Sequence, residues 1–377
     1  MPRHESETHA AFRATVRRFV EREVSPFVTA WDEAGAFPVE LYGQAAAIGL
    51  LGVGFPERVG GVEGDGRMAM IVTEELARAG SGGLCAGLMS HSIALPPLVA
   101  AESETLDERV VRPVLAGEAI AALAVTEPGG GSDVASLRTS ARRDGDSYIV
   151  DGEKTFITSG MRADWLTVAV RTGEAGMAGI SLLAVPGDSP GLSRSPLDKM
   201  GWWCSDTAHL RFDGVRVSAD LIVGVENGGF LGLMENFSGE RLSLAMLAIA
   251  FAEVCWQDAV EWARDRQTFG RPLIHRQVIR HKLVEMASRI RSVRAWLERL
   301  VDEIDAGETP IADVCMVKNA ATACLDFCAS EAVQILGGMG YMRGTRVERI
   351  FRETKVLSIG GGSTEVLADL AARQLGL

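Results

Sequence analysis

A glycine-rich segment gives the clearest chemical signal in this sequence. It runs from Ala124 to Asp133 in the order Ala-Val-Thr-Glu-Pro-Gly-Gly-Gly-Ser-Asp, after an apolar stretch that predicts a strand. Consecutive glycines let backbone N–H groups converge on one point, which is how loops bind phosphates, and the Ser132 hydroxyl adds a donor. A glycine-rich turn taken alone is more often only a turn. The elements around it must therefore decide its role.

Composition limits the classes of function. The chain has 377 residues, 47% of them hydrophobic and 23% charged, which is enough for two or three globular domains. A net charge of −12 argues against a general nucleic-acid or anionic-membrane surface. The N-terminus lacks the apolar core of a secretory signal, and the most apolar stretch, Leu242 to Ala252, is too short to span a bilayer. We expect a soluble, cytoplasmic protein with no nucleic-acid and no membrane partner.

The cysteines and histidines predict no metal site. Six cysteines occur without a Cys-x-x-Cys pair, and the six histidines have no ligand spacing. Cys324 and Cys328 lie four residues apart on a predicted helix. Packing in the core is the better explanation for such a pair than metal binding, and we expect all six thiols to be reduced and buried.

Three zones of sequence pattern predict the domain organisation. Residues 1–117 have apolar side chains at helical spacing, residues 118–224 form short strand-like runs, and residues 225–377 are again helical. The predicted fold class is therefore α+β, with an N-terminal α-helical domain, a middle antiparallel β domain (a sandwich or barrel) and a C-terminal helical bundle.

Individual elements follow from turn and helix signals. Asp151-Gly152 lies between two β-type runs and predicts a hairpin turn. Three long helices are expected in the C-terminal zone, from about Glu240 to Asp265, from about Val278 to Ala306, and from Ile311 to Leu336.

Five strings in this order resemble the flavin-dependent acyl-CoA dehydrogenase family along most of the chain. They are the glycine-rich segment 124–133, Lys-Thr-Phe-Ile-Thr-Ser-Gly at 154–160, Gly-Val-Glu-Asn-Gly-Gly-Phe at 224–230, Asp-Arg-Gln-Thr-Phe-Gly-Arg-Pro-Leu at 265–273, and Gln-Ile-Leu-Gly-Gly-Met-Gly-Tyr at 334–341. One such string is weak evidence, whereas five in the family's order are strong.

The resemblance implies an FAD cofactor and a set of residues that contact it. Thr126 and Thr158 should hydrogen-bond the flavin ring, Phe156 should pack beside it, and Ser132 should meet the pyrophosphate. Without the flanking matches, the better explanation is that both threonines are ordinary β-branched strand residues. The other implied FAD contacts are Val125, Gly131, Ile157, Arg266, Phe269, Gln277, Gln334, Gly338, Ser363 and Glu365.

The resemblance also implies assembly. Arg266, Gln277 and Gln334 fall where family members reach the FAD of a neighbouring subunit. Arg266 would then make a charge-assisted contact with the pyrophosphate, although it could equally be a solvated surface charge. A homotetramer, organised as a dimer of dimers, is the expected state.

The catalytic carboxylate is expected at Glu240. In the family, a glutamate removes the α-proton of an acyl-CoA, and many members carry it in a Tyr-Glu-Gly-Thr string near the C-terminus. The matching position here is Gly361. Members that resemble the isovaleryl and long-chain enzymes instead have a Glu-Arg-Leu string, which this chain has at Glu240-Arg241-Leu242. The competing explanation for Glu240 is a first-turn glutamate interacting with the helix dipole. Glu365 is not expected to be the base.

Two expected effects on the pKa of Glu240 oppose each other. Apolar surroundings would raise it, while a position in the first helical turn would lower it. Gly361 is expected to contribute its backbone N–H to the thioester carbonyl, or else to be a flexible turn after the strand-like Val356-Leu357 run.

Substrate contacts are expected at Ser132 and Arg241, with Leu84, Cys85 and Leu88 lining the acyl cavity by position or serving only as helix packing. Chain length, branching, and the choice between CoA and carrier-protein thioesters stay open, as does the effect of Trp203. The expected activity is acyl-CoA dehydrogenation in fatty acid metabolism, with an electron-transfer flavoprotein as acceptor. An oxygen-using oxidase or monooxygenase and a non-catalytic FAD- or acyl-binding member are the alternatives.

Overall fold

The chain forms two compact units, each assembled from separate stretches of sequence. The computed structural model describes residues 5–377. The first unit comprises the described part of Met1–Ala30 together with Asp65–Cys85 and Glu240–Leu377. The second comprises Trp31–Gly64 and Ala86–Gly239.

Helices occupy both ends of the chain. Their bounds are α1 Glu7–Phe19, α2 Val28–Ala34, α3 Glu40–Ala47, α4 Gly66–Ala77, α5 Gly82–Leu88, α6 His91–Ala94, α7 Pro96–Ala100, α8 Glu104–Leu106, α9 Arg112–Leu115, α10 Gly229–Asp265, α11 Gln277–Asp305, α12 Ile311–Leu336, α13 Gly338–Tyr341, α14 Arg346–Ile359 and α15 Thr364–Gln374. Side-chain caps define several starts: Asp65 accepts the Met68 N–H at the start of α4, and Thr345 accepts the Glu348 N–H at the start of α14.

The two later long helices match their predicted bounds closely. α12 spans Ile311–Leu336 as expected, and α11 begins and ends one residue before the predicted bounds. α11 is strongly amphipathic, whereas α12 buries residues around most of its circumference because α11, α14 and α15 all pack against it.

The predicted start of α10 was wrong. The helix begins at Gly229, so Glu240 lies eleven residues beyond its first residue and outside the first turn. Gly229 has no room for a side chain, since a Cβ there would lie 2.8 Å from the Ser181 carbonyl carbon. The apolar stretch of this helix is explained by packing, because 67% of its most apolar window is buried. The strand-like Val356-Leu357 run is also helical and belongs to α14.

The second unit contains a single eight-stranded sheet. The strands are β1 Ala121–Ala124, β2 Ser140–Asp144, β3 Ser147–Thr158, β4 Trp165–Arg171, β5 Ile180–Pro186, β6 Leu192–Pro196, β7 Thr207–Ser218 and β8 Ile222–Val223. Along the sheet they follow the order β6-β7-β3-β2-β4-β5-β8, with β1 paired to β4. Most pairings are antiparallel, as predicted, but β1 runs parallel to β4 and β2 meets β4 in a single parallel pair. The α+β fold class is confirmed.

The predicted hairpin at Asp151-Gly152 was wrong. Both residues lie inside the continuous strand β3, at an irregularity in its pairing with β7. The Asp151 carboxylate accepts the N–H of Gly214 on β7 at 2.8 Å, which holds the pair within the sheet. The turn that reverses the chain lies earlier, around Gly145, which has a φ of +63° and open space about it.

Candidate active site

Hydrogen bonds join the two segments of the second unit that are predicted to contact the flavin. The Thr155 N–H donates to the Thr126 carbonyl at 2.9 Å, and Lys154 Nζ donates to the Val125 carbonyl at 2.9 Å. The segment that follows β1 is therefore fixed against the end of β3. This places the backbone of Thr126 beside the segment that carries Phe156.

A buried ion pair closes this junction, and the sequence analysis missed it. Lys154 has no exposed surface, and its Nζ donates to Glu127 Oε1 at 2.8 Å. The Glu127 carboxylate also accepts the N–H groups of Arg138 and Thr139 at 2.7 and 2.8 Å. A lysine at an inward-facing position of an otherwise alternating strand is the signal that could have found it.

The ionisation of the pair follows from its burial. Burial lowers the pKa of Lys154 to about 8, against the opposing effect of the Glu127 charge. Burial alone would raise the pKa of Glu127, but the Lys154 charge and the two N–H donors outweigh it, and the pKa is lowered. The carboxylate is therefore charged at neutral pH, and it orients the backbone on both sides of the glycine-rich segment.

Phe156 projects from a bulge in β3. Pairing with β7 shifts register between Lys154 and Ile157, and Phe156 has a φ of +61°. The bulge leaves Phe156 71% exposed while Ile157 is buried. Thr158, half-buried, ends the strand opposite Thr207. Bulges re-aim side chains next to binding sites, and a positive φ is unusual for a bulky residue, so both features mark Phe156 as part of a candidate binding surface.

The glycine-rich segment is open to a ligand. Gly129, Gly130, Gly131 and Ser132 are all exposed, and nothing lies within 4 Å of a Cβ position at Gly129 or Gly130. The Gly130 N–H donates to the Glu127 carbonyl at 3.1 Å within the turn, while Gly129, Gly131 and Ser132 are exposed beside it. Exposed backbone donors with a neighbouring hydroxyl suit a phosphate oxygen.

In the first unit, the two predicted catalytic residues face each other. A Cβ at Gly361 would lie 3.8 Å from the Glu240 carboxyl carbon and 2.7 Å from Leu244 Cδ1. Gly361 has a φ of +66°, and the following Gly362 has a φ of +107°. Both positions therefore favour glycine, and the side chains of Leu244 and Glu240 lie beside Gly361.

Two cations hold the carbonyls of this loop. Arg241 Nε donates to the Gly361 carbonyl at 3.1 Å, and Lys318 Nζ donates to the Gly362 carbonyl at 2.9 Å. Lys318 lies on α12, has no exposed surface and was missed in the sequence. Its signal was available, because Val314, Lys318, Ala321 and Leu325 share one apolar face of the predicted helix.

The pKa of Glu240 is raised. Burial is the main cause, and the positive charges of Arg241 and Lys318 oppose it. Because Glu240 lies well inside α10, the helix dipole effect that was weighed against burial does not apply. A carboxylate with a raised pKa is a better proton acceptor at neutral pH than an ordinary glutamate.

Three further predicted FAD residues lie in the segment after α10. The short strands β9 Gln267–Thr268 and β10 Arg271–Pro272 form a hairpin. Phe269 at its tip has a φ of +48° and is 98% exposed. Arg266 is exposed at the base of the hairpin, and Gln277, the first residue of α11, is exposed as well. Their predicted action on a neighbouring subunit stays a prediction.

The remaining predicted FAD residues lie at helix ends. Gln334 is exposed in the last turn of α12, and Gly338 is the exposed first residue of α13. Ser363 caps α15 by accepting the Val366 N–H, and Glu365 is exposed in the first turn of that helix. None of the four is buried, so a cofactor could reach each of them.

The residues predicted to line the acyl cavity are packed in α5. Leu84 and Leu88 have no exposed surface, and Cys85 is 7% exposed. Trp203, whose effect was open, donates its indole N–H to the Lys199 carbonyl at 3.0 Å. All six cysteines are buried, and none of them forms a disulfide. Within residues 5–377, no group of three or more His, Cys, Asp or Glu side chains could hold a metal ion.

Comparison with known proteins identifies the family. The chain matches the acyl-CoA dehydrogenase N-terminal, middle and C-terminal domains at residues 6–118, 122–215 and 227–376. The long-chain specific acyl-CoA dehydrogenase of Sus scrofa mitochondria is 36% identical over 375 residues, covering 98% of this chain and 87% of its own length. The chain belongs to the acyl-CoA dehydrogenase family.

Solved structures of the family agree with this fold. An acyl-CoA dehydrogenase from Geobacillus kaustophilus has a TM-score of 0.95 and 35% identity, with 100% of each chain covered. The butyryl-CoA dehydrogenase of Megasphaera elsdenii has a TM-score of 0.95 and 30% identity, again with 100% of each chain covered. The protein is thus an oxidoreductase that acts on acyl-CoA, and FAD is its cofactor.

The residues present fit that cofactor. The second unit offers an exposed glycine-rich turn and an exposed hydroxyl for phosphate, and the uncovered ring of Phe156 for a flat ring system. Considered by itself, the first unit has an exposed arginine, Arg266, and a guanidinium is the kind of group that binds pyrophosphate.

Proposed function

We propose that this acyl-CoA dehydrogenase converts an acyl-CoA thioester to the trans-2-enoyl-CoA, with Glu240 as the base that removes the α-proton. The observation that carries the proposal is the placement of the Glu240 carboxyl group against Gly361, the position at which many family members have their glutamate. The carboxylate of Glu240 on α10 thus lies beside Gly361, which has no side chain.

Glu240 accepts the proton in this proposal. The raised pKa of Glu240 reduces the difference in pKa between its carboxyl group and the weakly acidic α-carbon of the substrate. The charges of Arg241 and Lys318 oppose the effect of burial and keep the ionised form available. Bound FAD supplies the acceptor for the hydride that leaves the β-carbon. The α-proton stays on Glu240 until the product leaves and solvent takes it.

The Gly361 N–H is the proposed donor to the thioester carbonyl. As the α-proton leaves, negative charge develops on that oxygen, and a fixed N–H donor stabilises it. The loop is held by the bonds from Arg241 and Lys318 to the Gly361 and Gly362 carbonyls, so the N–H needs little reorganisation. Arg241 is also a proposed contact of the substrate.

Residues of the second unit would hold the cofactor. Thr126 and Thr158 are the proposed hydrogen-bond partners of the flavin ring, and Phe156 would pack on it. Ser132, with the Gly129–Gly131 backbone, would bind the pyrophosphate. Support comes from the bond between Thr155 and Thr126, which holds the two segments together, and from the exposure of Phe156.

Assembly and the redox partner belong to the same proposal. Phe269 and Tyr341 are 98% and 83% exposed and lie in the two strings that resemble contacts between subunits. Exposed side chains of this size favour covering by a second copy, and a homotetramer is the proposed state. An electron-transfer flavoprotein is the proposed electron acceptor, and fatty acid metabolism the proposed role.

An anaerobic titration tests the function directly. The purified flavoprotein is titrated with straight-chain, branched and long-chain acyl-CoAs while flavin absorbance is followed. Bleaching by one class supports dehydrogenation and names the acyl group. Absence of bleaching with every thioester, with FAD bound, would contradict the proposal and favour an oxygen-using or non-catalytic member. Oxygen consumption then separates those two alternatives.

A further inference from the structure

Lys318 is a buried cation at a position where a helix in a protein core ordinarily carries an apolar residue. It has no exposed surface, and its neighbours on the same face of α12 include the buried residues Val314, Ala321 and Leu325. Burying an ammonium group costs several kcal/mol, by order of magnitude, unless charged or polar partners compensate. The partners it has are the Gly362 carbonyl and the charge of Glu240.

The first partner restrains the catalytic loop. Lys318 Nζ holds the Gly362 carbonyl at 2.9 Å, and Arg241 Nε holds the preceding carbonyl, that of Gly361, at 3.1 Å. Two successive peptide planes are therefore fixed by side chains from two different helices. With φ at +66° and +107°, the loop is in a conformation that glycine adopts but does not strongly prefer. The two hydrogen bonds therefore stabilise this loop conformation over the others that glycine can adopt.

The second partner is the base. The charged and titratable groups that interact electrostatically with Lys318 are Glu240 and Arg241 on α10 and Cys315 on its own helix. Burial lowers the pKa of Lys318 to about 8, with Glu240 opposing that effect and Arg241 adding to it. The influence is mutual, since the Lys318 charge also opposes the rise in the pKa of Glu240. At neutral pH the lysine is therefore mostly charged.

We propose that Lys318 is a positioning residue for proton abstraction: its ammonium group holds the Gly362 carbonyl, next to the Gly361 backbone that lies against Glu240, and so places a positive charge near the base. The proposal rests on the assignment of Glu240 as the base. Lys318 touches neither substrate nor cofactor in this role. It acts through the loop and through the glutamate.

Two variants separate the two parts of the role. Lys318→Met keeps the length of the side chain but removes both donor and charge, and Lys318→Gln keeps an N–H donor without the charge. The matched control is Lys282→Met, which removes a lysine paired with Glu331 on the same unit. Each protein is measured for the rate of anaerobic flavin reduction by an acyl-CoA between pH 5 and pH 9, and for hydrogen–deuterium exchange of the peptide covering residues 359–364.

The acid limb of the rate profile should move in both Lys318 variants. Loss of a cation near Glu240 raises the pKa of the glutamate. The part of the profile where the rate falls with decreasing pH therefore moves to higher pH by about one unit. At a given pH on that slope the rate falls about 10-fold. Loop exchange should rise in Lys318→Met and less in Lys318→Gln. Lys282→Met should match the unsubstituted protein in both measurements.

Superimposable pH–rate profiles for Lys318→Met and the unsubstituted protein would contradict an effect of the Lys318 charge on Glu240. Unchanged hydrogen–deuterium exchange of the loop in Lys318→Met would show that the hydrogen bond to the Gly362 carbonyl does not restrain the loop. A failure of the proposed function looks different: the unsubstituted protein would then be reduced by no acyl-CoA at any pH. In that case the exchange measurement, which needs no turnover, still decides whether Lys318 holds the loop.

Discussion

The carboxyl carbon of Glu240 lies 3.8 Å from the point where a Cβ of residue 361 would stand, and residue 361 is a glycine. The side chain on α10 and the missing side chain on the loop are therefore complementary. A Cβ at residue 361 would make an ordinary contact with the carboxyl group, and glycine is favoured there by its positive φ and by the short distance to Leu244.

Replacing the base should stop chemistry without removing the cofactor. In Glu240→Gln the side chain keeps its shape but cannot accept a proton at neutral pH. We expect flavin reduction by acyl-CoA to slow at least ~10²–10⁴-fold, the range for loss of a general base. Stopped-flow absorbance measures it, and the flavin-to-protein ratio serves as the control. Normal reduction by this variant would end the assignment of Glu240. Glu261→Gln, at an exposed position of the same helix, is the matched comparison and should keep its rate.

A methyl group at the catalytic loop should be poorly tolerated. In Gly361→Ala the Cβ would approach Leu244 Cδ1 to 2.7 Å at a φ of +66°. Positive φ alone costs an L-residue about 1–2 kcal/mol, and the close contact adds to it. Gly145→Ala is the control, since Gly145 has a φ of +63° but open space around it. Chemical denaturation should show a larger loss for Gly361→Ala, together with slower flavin reduction. Equal losses in the two variants would mean that the loop has room.

Loss of an exposed arginine should weaken cofactor retention. Arg266→Ala removes a guanidinium that is exposed beside the β9–β10 hairpin. If Arg266 binds pyrophosphate, FAD occupancy after gel filtration at low protein concentration should fall, by an amount that corresponds to about 1.5–3 kcal/mol of binding. Arg264→Ala, two residues earlier and also exposed, should retain FAD. Identical occupancy in the two variants would make Arg266 an ordinary surface charge.

The Lys154–Glu127 pair offers a double-mutant cycle. Lys154→Met leaves Glu127 without its cation, and loss of one partner of a buried pair typically costs about 3–5 kcal/mol. Adding Glu127→Gln to Lys154→Met should restore part of that stability, because the uncompensated charge is gone. The coupling free energy from urea denaturation measures the pair. FAD affinity should fall in both variants, since the Thr126 segment loses its anchor. Additive free energies would show that the two residues act independently.

A buried histidine should make stability depend on pH. His91 is buried, its Nε2 donates to the Leu51 carbonyl at 2.8 Å, and burial lowers its pKa to about 4. The unfolded chain binds this proton near pH 6.5, so between pH 6.5 and pH 4 protonation favours unfolding. Stability is lost as pH falls through this window, by about 2 kcal/mol at pH 5. His91→Gln should lose less stability than the unsubstituted protein between pH 7 and pH 5. Parallel curves would contradict the shift.

Patterns within one stretch of chain were easier to predict than contacts between stretches. The helix from Ile311 to Leu336 was found because apolar spacing and the Gly337 stop are local. The hairpin at Asp151-Gly152 was wrong because the Asp151 carboxylate bonds Gly214 on β7, a partner that no local pattern shows. The start of α10 was missed for a similar reason, since Gly229 begins the helix against the Ser181 backbone.

The candidate site shows the same division. Glu240 and Gly361 came from the resemblance to the family, not from spacing or composition. Lys154 and Lys318 were missed although each lies at an inward-facing position of its predicted strand or helix. A lysine in an apolar pattern is usually assigned to the surface. Only the tertiary structure shows that Glu127 pairs with Lys154 and that the Gly362 carbonyl accepts from Lys318.

The crowding around Gly361 also limits how this active site could have changed during evolution. A glutamate acquired at position 361, while Glu240 and Leu244 stay in place, would need a positive φ, and its Cβ would force the end of the Leu244 side chain to move. The new side chain would also start 3.8 Å from the Glu240 carboxyl carbon. A change of the base from the helix to the loop therefore involves the loop conformation and the Leu244 side chain as well as the two glutamate positions.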